Sequence, residues 1–367
     1  MDFNLTQEQQ MLRDGAERFL REAYDFDTRC AIAREPQAFR ASMWQQFADL
    51  GWLALELPED AGGLGLGFVD SALLIEAMGR AMVLEPYLHS AVLCTRIVDR
   101  SGVEALRSDL LPRLADGSAL LALADSEAGS RFRVGCTART TAQRTADGYR
   151  IDGAKMLVMG AAVAGQLLVT AGLDGACALF LVDAGASGVT RTDYRVLDGA
   201  RAADIAFDGA RATLMLADAM PVLEEAVDRA TLGTVAQMLG VMEAVMEITA
   251  EYIKTRVQFG QPIGKFQALQ HRMAEMFVEV QETRSILIYG MSCLDKAPNE
   301  RRKAVSAAKA VAGQAARFVC GQGIQLHGGV GMTEEYQIGH YFRAMTMLEK
   351  LFGDTDHHLG RFAAVAV

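Results

Sequence analysis

Two short segments of this chain carry residues suited to holding a phosphate. Residues 256–270 read RVQFGQPIGKFQALQ, with Arg256 ahead of Gly260, Pro262 and Gly264. A guanidinium can fork onto two phosphate oxygens, and a glycine-rich loop lets backbone N–H groups approach the same anion. Residues 325–331 read QLHGGVG, where the paired Gly328 and Gly329 allow close backbone approach. A third cluster, Asp354, Asp356, His357 and His358, offers carboxylates and imidazoles for proton transfer or metal binding. Ligands this close together match no ordinary metal spacing, so the polar, metal-free reading is favoured. His271, His327 and His340 are expected to be structural, and only His327 sits inside a glycine motif.

The elements that must position these residues change rhythm twice. Thr6 and Gln9 fit a capping box ahead of a helix bearing Met11, Leu12, Phe19 and Leu20. Further helices are predicted over 43–50, 71–82 and 88–101. The glycine-rich run at 58–67, PEDAGGLGLG, has no strand leading into it and is read as a structural turn. From about residue 118 to 213, short apolar runs alternate with turn signals at Asp147-Gly148, Asp152-Gly153, Asp174-Gly175, Asp198-Gly199 and Asp208-Gly209. That is the pattern of an antiparallel β domain, with strands predicted at 120–124, 138–143, 166–170, 178–182 and 204–207. From Met220 the helical period returns: Val241, Val245, Ile248 and Tyr252 share a face, and 304–319 is alanine-rich. An α+β chain is expected, with a helical domain over 1–117, a β domain over 118–219 and a four-helix bundle over 220–367.

The formal net charge of −10 over 367 residues argues against nucleic acid as a partner. The Arg301-Arg302-Lys303 run is too short to reverse this. No apolar run is long enough for a membrane span, and the charged N-terminal residues do not read as a signal peptide. The six cysteines are scattered without CxxC spacing, which predicts reduced, mostly buried thiols and a cytoplasmic location.

Taken together, 256–270, QLHGGVG, PEDAGGLGLG and the Ala128-Gly129-Ser130 triplet resemble acyl-CoA dehydrogenases along the whole chain. The ending LFGDTDHH at 351–358 resembles the small subunits of heteromeric, pimeloyl-CoA dehydrogenase-like enzymes. The resemblance implies a tetrameric FAD enzyme of fatty-acid β-oxidation that removes an α-proton and a β-hydride from an acyl-CoA thioester. It implies an electron-transfer flavoprotein as acceptor. It also implies that Arg256, Gln258 and Phe259 meet the pyrophosphate half of a neighbouring subunit's FAD, and that Gln325, Gly328 and Gly329 meet its ADP part.

The flavin-ring side departs from the family. Its TEPxAGSD motif runs here from Ala124 to Arg131, keeping Ser130 but placing Ala124 where a threonine hydroxyl meets the ring. In the KxWITN stretch, Leu157 stands for the tryptophan and Met159 for a polar residue. The catalytic glutamate falls on Phe352, and the alternative position on an earlier helix falls on Ala230. Asp354 matches a family threonine near the FAD and is the candidate for a displaced base. Glu224, Glu225 and Asp228 read as first-turn helix charges. Three readings follow. The chain is a subunit that completes FAD sites in a heterotetramer with a catalytic acyl-CoA dehydrogenase chain, or a self-sufficient homo-oligomer using Asp354, or an acyl-CoA-binding scaffold.

Overall fold

A computed structural model describes residues 4–135 and 139–366. In chain order, helices come first: α1 (Gln7–Ala23), α2 (Phe26–Arg34), α3 (Ala41–Asp49), α4 (Phe68–Ala81), a π-helical turn at Leu88–Cys94 running into α5 (Thr95–Arg100), and α6 (Glu104–Ala115). The strands follow: β1 (Leu121–Ala124), β2 (Thr141–Thr145), β3 (Gly148–Met159), β4 (Gln166–Leu173), β5 (Ala176–Asp183), β6 (Val189–Arg195) and β7 (Arg201–Leu216). Helices return with α7 (Met220–Thr255), a small hairpin of β8 (Val257–Gln258) and β9 (Gln261–Pro262), α8 (Gln267–Ser292), α9 (Pro298–His327), α10 (Gln337–Lys350) and α11 (Thr355–Ala366). This is the expected order of N-terminal helices, middle β domain and C-terminal helices. By compactness the chain divides into two units, one of Met1–Ala31, Ala72–Val83 and Thr231–Val367, the other of Ile32–Ser71 and Leu84–Ala230.

The first unit is helical. The Thr6 hydroxyl accepts from the Gln9 backbone and the Gln9 side chain answers on the Thr6 N–H, so the capping box forms. α9 packs against α8, α10 and α11. Its alanine-rich face is fully buried at Ala304, Ala308, Ala312, Ala315 and Ala316, which lets neighbouring backbones approach. Gly79 of α4 and Gly240 of α7 mark the tightest crossing. A Cβ at Gly240 would lie 1.9 Å from the Glu76 carbonyl oxygen, and one at Gly79 2.2 Å from that of Gln237. The C-terminal helices number five, the last two short, where four long ones were expected.

The second unit holds the sheet. Antiparallel pairings join β2–β3, β3–β7, β7–β5 and β5–β4, and a single parallel pairing, Thr141↔Gly172, links β4 back to β2. β1 adds parallel to β4 and β6 antiparallel to β7. The sheet is therefore mixed, because β1 enters beside β4 from a helix rather than from a hairpin. Strands β3 and β6 were not expected. Of the predicted strand at 138–143, Ala138 lies outside the described residues, as does Cys136, and the observed strand begins at Thr141. Asp174-Gly175 makes the β4–β5 hairpin with φ of 51° and 86°, as a type I′ turn requires. Asp152-Gly153 and Asp208-Gly209 are not turns. They lie inside β3 and β7, where the register shifts between Ile151 and Gly153 and Asp152 accepts from the Gly209 N–H at 2.8 Å. Bulged, paired strands use the same left-handed residues that hairpins do, so the sequence signal is shared.

The run at 58–67 is structural. The N–H groups of Gly63, Leu64, Gly65 and Leu66 donate to the carbonyls of Pro58, Ala54, Leu57 and Leu55, leaving none of the four for an anion.

Candidate functional site

The phosphate-suited residues gather at one place in the helical unit. Arg256 directly follows α7, and the hairpin beyond it turns at Phe259 and Gly260, with φ of 54° and 78°. The Arg256 side chain is exposed and has no carboxylate partner among the described residues. Gln258 is exposed, and Phe259 is 91% exposed at the hairpin tip. Gln325, Gly328 and Gly329 are exposed where α9 ends. Gly328 takes φ 61° and ψ −138°, a conformation open to glycine. Gly329 needs no such freedom, and a Cβ on it would meet nothing within 4 Å.

Tyr252 and His327 join the two halves, and sequence reasoning gave Tyr252 only a place on a helix face. Their rings stack at 4.3 Å, and the Tyr252 hydroxyl donates to the His327 carbonyl at 3.4 Å. The His327 Nδ1 lies 2.7 Å from the Gly323 carbonyl, so that nitrogen carries the proton. Burial lowers its pKa, and the neutral ring fixes the end of α9 one residue before Gly328. His340 is structural as expected, held between the Glu334 carbonyl at 2.9 Å and Arg29 at 3.1 Å.

The loop after α10 carries the residue that the resemblance sets at the base position. Phe352 sits there half-buried with φ 57°, followed by Gly353 at 115°. Buried Lys309 of α9 reaches the loop from beneath. Its Nζ donates to the carbonyls of Glu349 at 3.1 Å, Leu351 at 2.8 Å and Gly353 at 2.7 Å. Burial pulls this ammonium down to about 7, against the opposing pull of Glu349 and Asp354. His358 Nε2 donates to the Phe352 carbonyl at 3.1 Å, while burial pushes the ring down to about 3 and keeps it neutral. Neither Lys309 nor its role was foreseen, because a single lysine in an alanine-rich helix carries no local signal.

The acids near Phe352 are engaged. Asp354 Oδ1 accepts from the His357 N–H at 2.9 Å, as the N-cap of α11, and its Oδ2 pairs with Lys350 at 3.2 Å. Glu349 accepts from the Thr355 N–H at 3.0 Å and pairs with Lys350 at 2.9 Å. Burial opposes ionisation of Glu349, but Lys350 and the Thr355 N–H outweigh it and hold its pKa low. Ala230, where the resemblance sets the alternative base, is fully buried. Glu224, Glu225 and Asp228 are not first-turn charges, because α7 begins at Met220 and its first turn holds no acid; Glu225 pairs with Arg96 at 2.8 Å, while Arg229 pairs with Glu56.

In the β unit, Ser130 spends its hydroxyl on its own turn, donating to the Glu127 carbonyl at 2.8 Å and accepting from the Glu127 N–H at 3.0 Å. Leu157 is 46% exposed in a left-handed conformation, its N–H donating to Asp204 at 3.0 Å. Beneath lies a buried network that the motif letters hid. Lys155 Nζ meets Glu127 Oε1 at 2.9 Å and Thr170 Oγ1 at 3.0 Å, and Thr170 donates to Asp125 at 2.8 Å. Burial raises the Asp125 carboxyl while Lys155 opposes the rise. The network ties the Ser130 turn to β3 and β4.

Among the described residues, no helix is long and apolar enough to cross a membrane. Comparison with known proteins gives the wider context. Sequence models described as the acyl-CoA dehydrogenase N-terminal domain and C-terminal domain match residues 6–118 and 217–366. The acyl-CoA dehydrogenase FadE27 of Mycobacterium tuberculosis is 30% identical, over 89% of this chain and 88% of its own. The acryloyl-CoA reductase (NADH) of Anaerotignum propionicum is 27% identical, over 98% and 94%. Among solved structures, the ChsE4-ChsE5 complex from Mycobacterium tuberculosis aligns with a TM-score of 0.90 at 28% identity, covering 99% of this chain and 98% of that one. The Tcur3481-Tcur3483 steroid ACAD variant aligns at 0.88 and 30% identity, covering 98% of both. The chain belongs to the acyl-CoA dehydrogenase family of FAD-dependent oxidoreductases.

Proposed function

We propose that this chain is the subunit of a heteromeric acyl-CoA dehydrogenase that completes FAD sites of a catalytic partner chain and contributes no base of its own. The observation that carries this reading is the pairing of Phe352 at the base position with full engagement of its acidic neighbours, Glu349 and Asp354. A phenyl ring accepts no proton, and a carboxylate that caps a helix and pairs with lysine is a weakened base. FAD, when bound, supplies the acceptor for the substrate's β-hydride.

The residues present fit that cofactor. The Arg256 guanidinium, without a carboxylate partner among the described residues, takes pyrophosphate oxygens, with Gln258 and Phe259 flanking it on the hairpin. Gln325, Gly328 and Gly329 meet the ADP part, where the bare backbone at Gly329 lets it come close. Ser130, whose hydroxyl is held in its own turn, offers the flavin side shape rather than a free hydrogen bond. On this reading the substrate is an acyl-CoA and the electrons leave to an electron-transfer flavoprotein. A two-chain assembly among the similar structures, ChsE4-ChsE5, supports the heteromer.

Arg256→Ala tests the assignment. In the complex co-purified with its catalytic partner, the variant is expected to bind FAD about 10–100-fold more weakly, the loss of one or more charge-assisted hydrogen bonds. Unchanged FAD affinity would remove Arg256 from the site.

A further inference from the structure

His340 of α10 is 4% exposed and is bonded through both ring nitrogens. Its Nδ1 lies 3.1 Å from Arg29 Nη1 of α2, and its Nε2 lies 2.9 Å from the Glu334 carbonyl. An arginine can only donate and a carbonyl can only accept, so Nδ1 is the bare nitrogen and Nε2 carries the proton. The contact with α2 thus exists for one neutral tautomer of the ring. Phe26, also on α2, meets that ring edge-on at 4.8 Å. Beside these contacts the helical unit holds a cavity of about 330 Å³. Tyr24, Asp25 and Phe26, at the corner between α1 and α2, line it together with Gln337 and Tyr341 of α10.

We propose that His340 is an acid-sensitive latch: its neutral ring pins the corner between α1 and α2 to α10, and a proton on Nδ1 releases it. A second proton on the ring has only Nδ1 to go to. There it turns the acceptor into a donor and sets an imidazolium against the buried Arg29 guanidinium. The charged groups around the ring are Arg29 from α2, Arg343 from α10 and Glu334 from the segment before α10. The Glu334 carboxylate is 3.6 Å from Nε2, but it is already paired with Arg343 at 2.9 and 3.0 Å. Two guanidinium groups therefore face the ring against one carboxylate already shared. Burial, then Arg343 and Arg29, hold the pKa below the ordinary 6.5 against the pull of the Glu334 carbonyl and carboxylate. A ring freed from these neighbours takes up its proton first, so falling pH favours the released state. The latch is complete above about pH 6.5 and is lost as pH falls through the lowered folded value.

The test is amide hydrogen exchange of the full-length chain in its native assembly, read by mass spectrometry from about pH 7.5 to about pH 5 and corrected for intrinsic exchange rates. Protection of peptides over 24–31 is expected to fall about threefold or more across that range, while peptides of α8 keep theirs. His340→Asn keeps a side-chain acceptor and donor but does not titrate, so its protection over 24–31 should be flat with pH. Arg29→Gln removes the cation facing Nδ1, so its transition should move to higher pH. Protection over 24–31 that is unchanged down to pH 5 in the wild type overturns the proposal. So does a fall that persists in His340→Asn. Should that variant not fold, a transition that stays in place in Arg29→Gln overturns it equally.

Discussion

Phe352 is held in place by its neighbours' polar groups: Lys309 grips the carbonyls on either side of it and His358 takes its own. Asp354, the acid two positions on, is spent on the first turn of α11. Asp354→Asn, which preserves the cap, is expected to leave thermal stability and heteromer activity near wild type. Asp354→Ala should lose about 1 kcal/mol in denaturant unfolding. Abolished turnover in the Asn variant would instead make Asp354 the base. His358 adds a pH dependence. Its folded pKa of about 3 lies below the ordinary 6.5, so the unfolded chain binds the extra proton between those values. Stability therefore falls as pH drops from about 6.5 toward 3, and His358→Gln should flatten that part of the acid limb in a melting-temperature profile. The motif residues around Gly328 stand out because glycine and arginine are types suited to phosphate chemistry, and the structure leaves them exposed. Lys309 does not, because its meaning comes from a loop about 40 residues away in sequence.

Helices and strands show the same division. The capping box at Thr6 and the buried alanine face of α9 follow from local pattern. β3 and β7 were missed or cut short because Asp-Gly pairs that read as turns are bulges, and only the partner strand distinguishes the two. The crossing of α4 and α7 depends on glycine for contact rather than conformation. Gly240→Ala forces a methyl group against the Glu76 carbonyl, with relief available only by separating two helices. We expect a loss of about 3 kcal/mol in unfolding free energy, measured by denaturant titration. A loss under about 1 kcal/mol would mean that the helices part easily.

For the whole molecule, the family and its FAD dependence follow from sequence, while the division of labour between this chain and a partner rests on what each end of the cofactor site retains. The exposed hairpin and the Gly328-Gly329 turn carry the groups proposed to meet phosphate. Phe352, at the proposed base position, cannot take a proton. The direct test is an anaerobic titration of the purified chain, without partner and reconstituted with FAD, with short-, medium-, long-chain and steroid-type acyl-CoA thioesters. The account predicts that any bound flavin stays oxidised with every thioester, and that reduction begins only when a catalytic acyl-CoA dehydrogenase chain is added. Flavin bleaching by an acyl-CoA in this chain alone would contradict it.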